Sequence, residues 1–271
     1  MTRISRHLLP YATPTISPIC PSSICRSTVL TLTQRRLITS YSLPSPTQPH
    51  KPPLPTTPLP TYTPPRPTRL VIGITGATGT IYAIHLLTTL RYLGIETHLI
   101  ISKWALATLK YETSLSESQI RSLAHKNYTS RDLSAPIASG SFQHDGMIIV
   151  PCSMKTLAAV RIGLGDDLIA RAADVSLKEG RKVMMVVRET PLSEIHLENM
   201  LWVRRAGVVV FPPVPAFYTR PRSLDDVIRQ SVGRMLDSMG IYVEGFERWE
   251  GFRRDKEGEK GVEEGVVGGL G

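Results

Sequence analysis

The sequence predicts an α/β protein built on a mostly parallel sheet with helices on both faces. Three observations carry that prediction. Apolar runs of strand length recur at 69–75, 95–101, 146–150, 182–187 and 207–211. Apart from Glu96, Thr97 and His98 in the second, they are near-continuously apolar rather than alternating, the pattern of strands buried on both faces. Segments with helical spacing separate them, which implies parallel crossovers.

The first run (RLVIGIT) ends in glycines and leads to helical spacing over 82–93. A second strand over 95–101 is followed by a helix from Lys103, and 116–126 is polar and helical. GMIIV at 146–150 reads as a buried strand, with a helix opening at Ser153. A helix is predicted over 167–179 and a strand over 182–187. Thr190-Pro191 reads as an N-cap followed by proline in the first turn of a helix over 191–206. GVVVF at 207–211 is the last strand, and Leu224–Met239 closes the chain as an amphipathic helix. Ligands in such folds collect at the carboxyl ends of the strands.

Composition sets the domain limits. Of the 22 prolines among 271 residues, 15 precede residue 69, and that stretch has no Asp or Glu. Its seven Lys and Arg residues account for most of the net charge of +9, leaving +2 for 69–271, so the basic balance gives no reason to expect nucleic acid. Residues 1–42, rich in Arg, Ser and Thr and broken by prolines, read as a mitochondrial transit peptide and give an expected mitochondrial location. Residues 43–68 read as a proline-rich linker, 69–250 as the folded domain, and 251–271 as a glycine-rich charged tail. Three cysteines make no disulfide framework, and no apolar run reaches the roughly 18 residues of a membrane helix.

The strand ends carry the chemistry. Gly73-Ile-Thr-Gly-Ala-Thr-Gly79 joins the first strand to the first helix, where glycines let backbone N–H groups approach a phosphate. A ribose-binding carboxylate is missing from the end of the second strand, where Ser102-Lys103 stand, so NAD is disfavoured and NADP and FMN both stay open. Pro151-Cys-Ser-Met-Lys-Thr156 offers a second anion-binding turn, with Ser153 as its cap. Cys152 reads as a buried structural thiol. Arg171 and Lys178 share a helix face, and Arg188-Glu189 at a strand end combines anion binding with acid–base capacity. Tyr218 sits in a stiff, proline-rich apolar loop. No His/Cys cluster has metal-ligand spacing.

Taken together, TGATG, HLIISK, ASGS, PCSMKTLA, RAADVSLKE, VVRETPLSEIHLENM and PPVPAFYTRP closely resemble the UbiX-type flavin prenyltransferase family, including fungal mitochondrial members once called phenylacrylic acid decarboxylases. The resemblance covers 69–250. It implies a three-layer α/β/α Rossmann-like flavoprotein fold and a metal-independent transfer of a dimethylallyl group from dimethylallyl monophosphate to N5 and then C6 of reduced FMN. The product, prenylated FMN, would serve a UbiD-type decarboxylase. By the same resemblance Gly76, Ala77, Thr78, Ser102, Ser153, Met154, Lys155, Thr156 and Arg188 would hold FMN. Tyr218 and Arg234 would hold the prenyl phosphate. Glu189, Lys178, Glu112 and Arg171 match catalytic positions, with Glu189 handling protons. A homo-oligomer, commonly a dodecamer with sites shared between subunits, is also implied. Two positions depart from the family: Thr78 where many bacterial members carry Ser, and Leu133 where some carry Trp. The competing readings are a non-catalytic flavin-binding subunit of a decarboxylase and a flavin-dependent cysteine decarboxylase.

Overall fold

A computed structural model describes residues 66–249 and 251, all within one unit, Tyr62–Gly271. The expected leader lies outside the described residues. So do the linker except its last three residues and the tail except residue 251. In chain order the elements are β1 (Arg69–Ile74), α1 (Thr80–Tyr92), β2 (Glu96–Ile101), α2 (Lys103–Glu112), α3 (Glu117–Ser122), β3 (Lys126–Thr129), β4 (Gly146–Cys152), α4 (Met154–Arg161), α5 (Leu168–Lys178), β5 (Lys182–Val187), α6 (Glu194–Arg205), β6 (Val209–Val210) and α7 (Leu224–Met239). Short 3-10 turns stand at Pro136–Ala138 and Phe217–Thr219.

The six strands pair in the order β3-β2-β1-β4-β5-β6, every pair parallel. Strand alternation sorts side chains into two cores. Leu70, Ile72 and Ile74 of β1 face a cluster with Leu86 and Leu90 of α1 and Met235 and Leu236 of α7. Val71 faces Leu157 of α4, Ile169 of α5 and Val203 of α6. The layers are therefore helix, sheet, helix. The order reverses between β1 and β4, which opens a crevice at their carboxyl ends.

Three local readings change. β3 (KNYT) is a polar edge strand that follows the expected helical stretch and was not itself expected. Helix α6 begins after Ser193, whose hydroxyl accepts from His196 N–H, and the Thr190–Pro191 peptide before it is cis. Pro191 is therefore not in the first turn. The last strand shrinks to two residues because the Gly207 and Val208 N–H groups donate back to Arg204 and Val203 O, closing α6, and Pro212 and Pro213 beyond it cannot donate to a ladder.

Past Gly240 the chain turns back along α7. Ile241 N–H donates to Leu236 O at 2.9 Å, and the Phe246 ring sits where Gly233 has no side chain; a Cβ there would run into the ring.

His144 is 4 % exposed and donates from Nδ1 to Gly146 O at 3.2 Å. Burial, aided by the Arg181 charge, pushes its pKa down from 6.5 to about 4. The unfolded chain takes up that proton near pH 6.5, whereas the folded chain resists until about pH 4, so stability falls with pH across that window. The unfolding free energy measured in urea is expected to drop there by on the order of 3 kcal/mol from this group. His144→Gln should flatten the slope; an unchanged slope would show that His144 is already charged in the fold.

Candidate active site

The crevice is assembled by backbone bonds between strand ends. Ser102 N–H donates to Ile74 O at 3.0 Å, fixing the end of β2 on β1. The buried Thr75 hydroxyl donates to Pro151 O at 2.8 Å and accepts from Ser153 N–H at 2.8 Å, fixing β1 on β4. Arg188 N–H donates to Cys152 O at 3.2 Å, bringing in β5. The glycine-rich loop, Ser102, the Ser153–Thr156 turn and Arg188-Glu189 thus lie at one end of the sheet.

The 76–79 loop fits closely under α2. A Cβ on Gly76 would run into Trp104 Cβ and lie 3.1 Å from the Trp104 carbonyl carbon. Gly79 caps α1 in the left-handed region, φ 103°. The N–H groups of Gly76, Ala77 and Thr78 make no backbone hydrogen bond among the described residues. The N–H groups of Gly79 and Thr80 are taken: both donate to the Glu112 carboxylate, at 3.0 and 2.7 Å. Burial opposes the charge on Glu112, but bonds from the Thr78 hydroxyl and these two N–H groups outweigh it and hold the carboxyl below its usual range. The positive end of α1, read in the sequence as a phosphate site, is occupied by a carboxylate of the same chain.

Ser102 and Ser153 cap α2 and α4, accepting from Ala105 and Thr156 N–H at 3.1 and 3.4 Å; the Ser102 hydroxyl keeps its proton to donate, and the Ser153 and Thr156 hydroxyls share one bond at 3.2 Å. Met154 is half-buried against the second core, Thr156 is buried and Lys155 is exposed. Cys152 is fully buried and its thiol is pushed up to about 12, so it stays protonated at neutral pH. Glu189 is exposed, with Oε1 accepting from Thr190 N–H at 3.0 Å.

A second group of residues stands on α7 and the loop after β6. Tyr218 and Arg234 line a cavity of about 520 Å³ with Phe211, Gln230, Ser231 and Trp249. Gln230 Nε2 donates to the Tyr218 hydroxyl at 3.4 Å, and the Trp249 and Tyr218 rings meet edge to face with centroids 5.6 Å apart. Tyr82 of α1 joins the two groups. Burial raises its phenol pKa, while the Arg188 charge and the Ser231 hydroxyl act against that rise.

Arg171 and Lys178 stand in the first and last turns of one helix. Both lie on α5, which runs away from the crevice toward the start of β5. Arg171 Nε donates to Ala138 O at 3.3 Å, and Nη1 pairs with Asp174 at 3.1 Å. Lys178, half exposed, pairs with Glu179 beside Gly140, where a Cβ would come within 2.9 Å of the ammonium. Reading by motif did not single out Thr75, Tyr82, Gln230, Arg248 or Trp249. Gln230 alone left a signal, as a polar residue four before Arg234 on the apolar face of an amphipathic helix.

A family model described as Flavoprotein matches residues 59–235. The mitochondrial flavin prenyltransferase PAD1 of Saccharomyces cerevisiae is 64% identical over 190 residues, 70% of this chain and 78% of that protein. The chain belongs to the flavin prenyltransferase family. The family member LpdB of Lactiplantibacillus plantarum is 50% identical over 184 residues, 68% of this chain and 98% of that protein. Among solved structures, a UbiX-type protein in complex with FMN and dimethylallyl pyrophosphate is 58% identical, with a TM-score of 0.68 over 69% of this chain and all of its own. A dodecameric, FMN-dependent UbiX-like protein from Escherichia coli O157:H7 is 50% identical, with a TM-score of 0.67 over 68% of this chain and all of its own. The matched family model thus spans every strand of the sheet and the crevice at their ends. Among the described residues no group of three or more His, Cys, Asp or Glu side chains could hold a metal ion, and no helix is long and apolar enough to cross a membrane.

Proposed function

We propose that the protein transfers a dimethylallyl group from dimethylallyl monophosphate to reduced FMN, and that the strand-end crevice holds the flavin. The observation that carries this is the donor-lined crevice at the strand ends with the Tyr218–Arg234 cavity beside it, whose wall residue Phe211 bonds to β5 through Met185 O at 2.9 Å. A structure 58% identical over its whole length holds a flavin mononucleotide and an allylic diphosphate together. The donor set fits a flavin phosphate. The free N–H groups of Gly76, Ala77 and Thr78, the hydroxyls of Ser102, Ser153 and Thr156, and the cations Lys155 and Arg188 surround one crevice. Met154 adds an apolar contact.

Reduced FMN, when bound, supplies the nucleophilic N5 and C6 atoms. The chain's own residues serve the other reactant. The allylic C–O bond breaks with its electron pair leaving on the phosphate, so the developing charge must be neutralised by fixed groups. Arg234 and the Tyr218 hydroxyl, steadied by Gln230, stand in the cavity for that purpose. Phe211, Val214 and Ala216 line it and keep water from the five-carbon fragment. Glu189 stands beside Arg188 at the end of β5 and takes up the proton released as the ring closes. Glu112 braces the loop over the flavin phosphate. Lys178 and Arg171, at the two ends of α5, are assigned to the crevice of a neighbouring protomer in a dodecamer like that of the E. coli relative. The product is prenylated FMN, for use by a UbiD-type decarboxylase.

The test is mass spectrometry of the flavin after incubating the full chain with reduced FMN and dimethylallyl monophosphate. A flavin heavier by one five-carbon unit is expected, with release of inorganic phosphate. Bound FMN of unchanged mass would instead favour the non-catalytic flavin-binding subunit. The leader at 1–42 is assigned to mitochondrial targeting, in keeping with the S. cerevisiae relative named as mitochondrial. Import of a reporter carrying residues 1–42 into isolated mitochondria is the expected result, and a reporter left outside would overturn it.

A further inference from the structure

Two guanidinium groups converge on one carboxylate at the edge of the Tyr218 cavity. Arg248 takes both oxygens of Asp237, with Nε 3.0 Å from Oδ2 and Nη2 2.8 Å from Oδ1. Arg234, one turn before Asp237 on α7, reaches only Oδ2, from Nη1 at 3.3 Å. Arg248 is fixed in turn by a bond from Nη2 to Val243 O at 2.6 Å and by the Tyr242 and Phe246 rings, 4.3 and 4.1 Å from its guanidinium carbon. Arg234 has no such clamp, and its side chain is 49 % exposed against 27 % for Arg248.

Arginine and aspartate three apart on a helix pair readily, and a carboxylate prefers to receive a guanidinium at two points. Left alone with Asp237, Arg234 would close onto it and lose both its charge and its donors to a partner on its own helix. With Arg248 seated, Asp237 has no two-point face to offer. The site then holds two cations against one anion, and the unbalanced charge belongs to Arg234, which lines the cavity.

We propose that Arg248 is a positioning residue: by occupying Asp237 it keeps Arg234 available to the phosphate of the prenyl donor. This rests on Arg234 being that phosphate's anchor, as assigned above. Arg248→Ala in the full chain is expected to raise the KM for dimethylallyl monophosphate about tenfold, with little change in FMN affinity or kcat. Adding Asp237→Asn should bring KM back most of the way, because an amide holds Arg234 far less tightly. A merely structural Arg248 would show no such rescue. Asp237→Asn alone should leave KM at or below its starting value, and it keeps the proposal testable should Arg248→Ala fail to fold. An unchanged KM in Arg248→Ala, a raised KM that Asp237→Asn does not restore, or a raised KM in Asp237→Asn alone would each overturn the proposal. Arg234→Ala separates the two levels. If it leaves KM unchanged, the anchor assignment itself fails. If it raises KM while Arg248→Ala does not, only the positioning role is lost.

Discussion

Glu189→Gln is expected to lower kcat by roughly a hundredfold or more, the usual worth of a positioned proton-transfer group, while FMN affinity changes little. The side chain is exposed, two residues past the end of β5. Its one hydrogen bond among the described residues is from Thr190 N–H to Oε1 at 3.0 Å. A glutamine oxygen can receive that same N–H, so the substitution keeps shape and local bonding and removes only the ability to take up a proton. Single-turnover measurements with reduced FMN already bound would isolate the step. Loss of flavin affinity in proportion to kcat would show that Glu189 holds the ligand instead.

Gly76→Ala should weaken FMN binding about ten- to a hundredfold, as expected when an extra carbon forces a close-packed contact to yield. The obstacle is the Cβ and backbone of Trp104 in the first turn of α2, not the movable end of a side chain. That turn is held in place, since Ser102 caps it and bonds to Ile74 O. The 76–78 loop must therefore move, and its three free N–H groups lose their common aim. Titration by flavin fluorescence, with far-ultraviolet circular dichroism to show that the helices persist, would measure this. Native affinity in the variant would remove the loop from the flavin site.

Much of this architecture was readable from residue order. Helix α7 matched its expected limits, Leu224–Met239, because Ser223 opens it with a capping box and Gly240 ends it in the left-handed region. β1, β2, β4 and β5 were visible as apolar runs because each is buried on both faces. β3 was not, since an edge strand of sequence KNYT has no apolar pattern to show. At the site, motifs at strand ends marked Gly76, Ser153 and Arg188, where one short peptide carries the chemistry. They could not mark Thr75, whose importance lies in a carbonyl 76 positions away, or Arg248, which matters only through Asp237. Nor could they show that Lys178, matched through the family, stands in the last turn of α5, paired with Glu179 near the start of β5.

Gly233 sits mid-helix, where glycine costs about 1 kcal/mol relative to alanine. That sacrifice of local order leaves a notch, and what fills the notch is an aromatic ring thirteen positions later. Any methyl group at 233 would make a better helix and evict the ring, and the guanidinium resting on that ring would go with it. On the proposed role of Arg248, helix propensity and grip on an anionic reactant are thereby set in opposition at a single position.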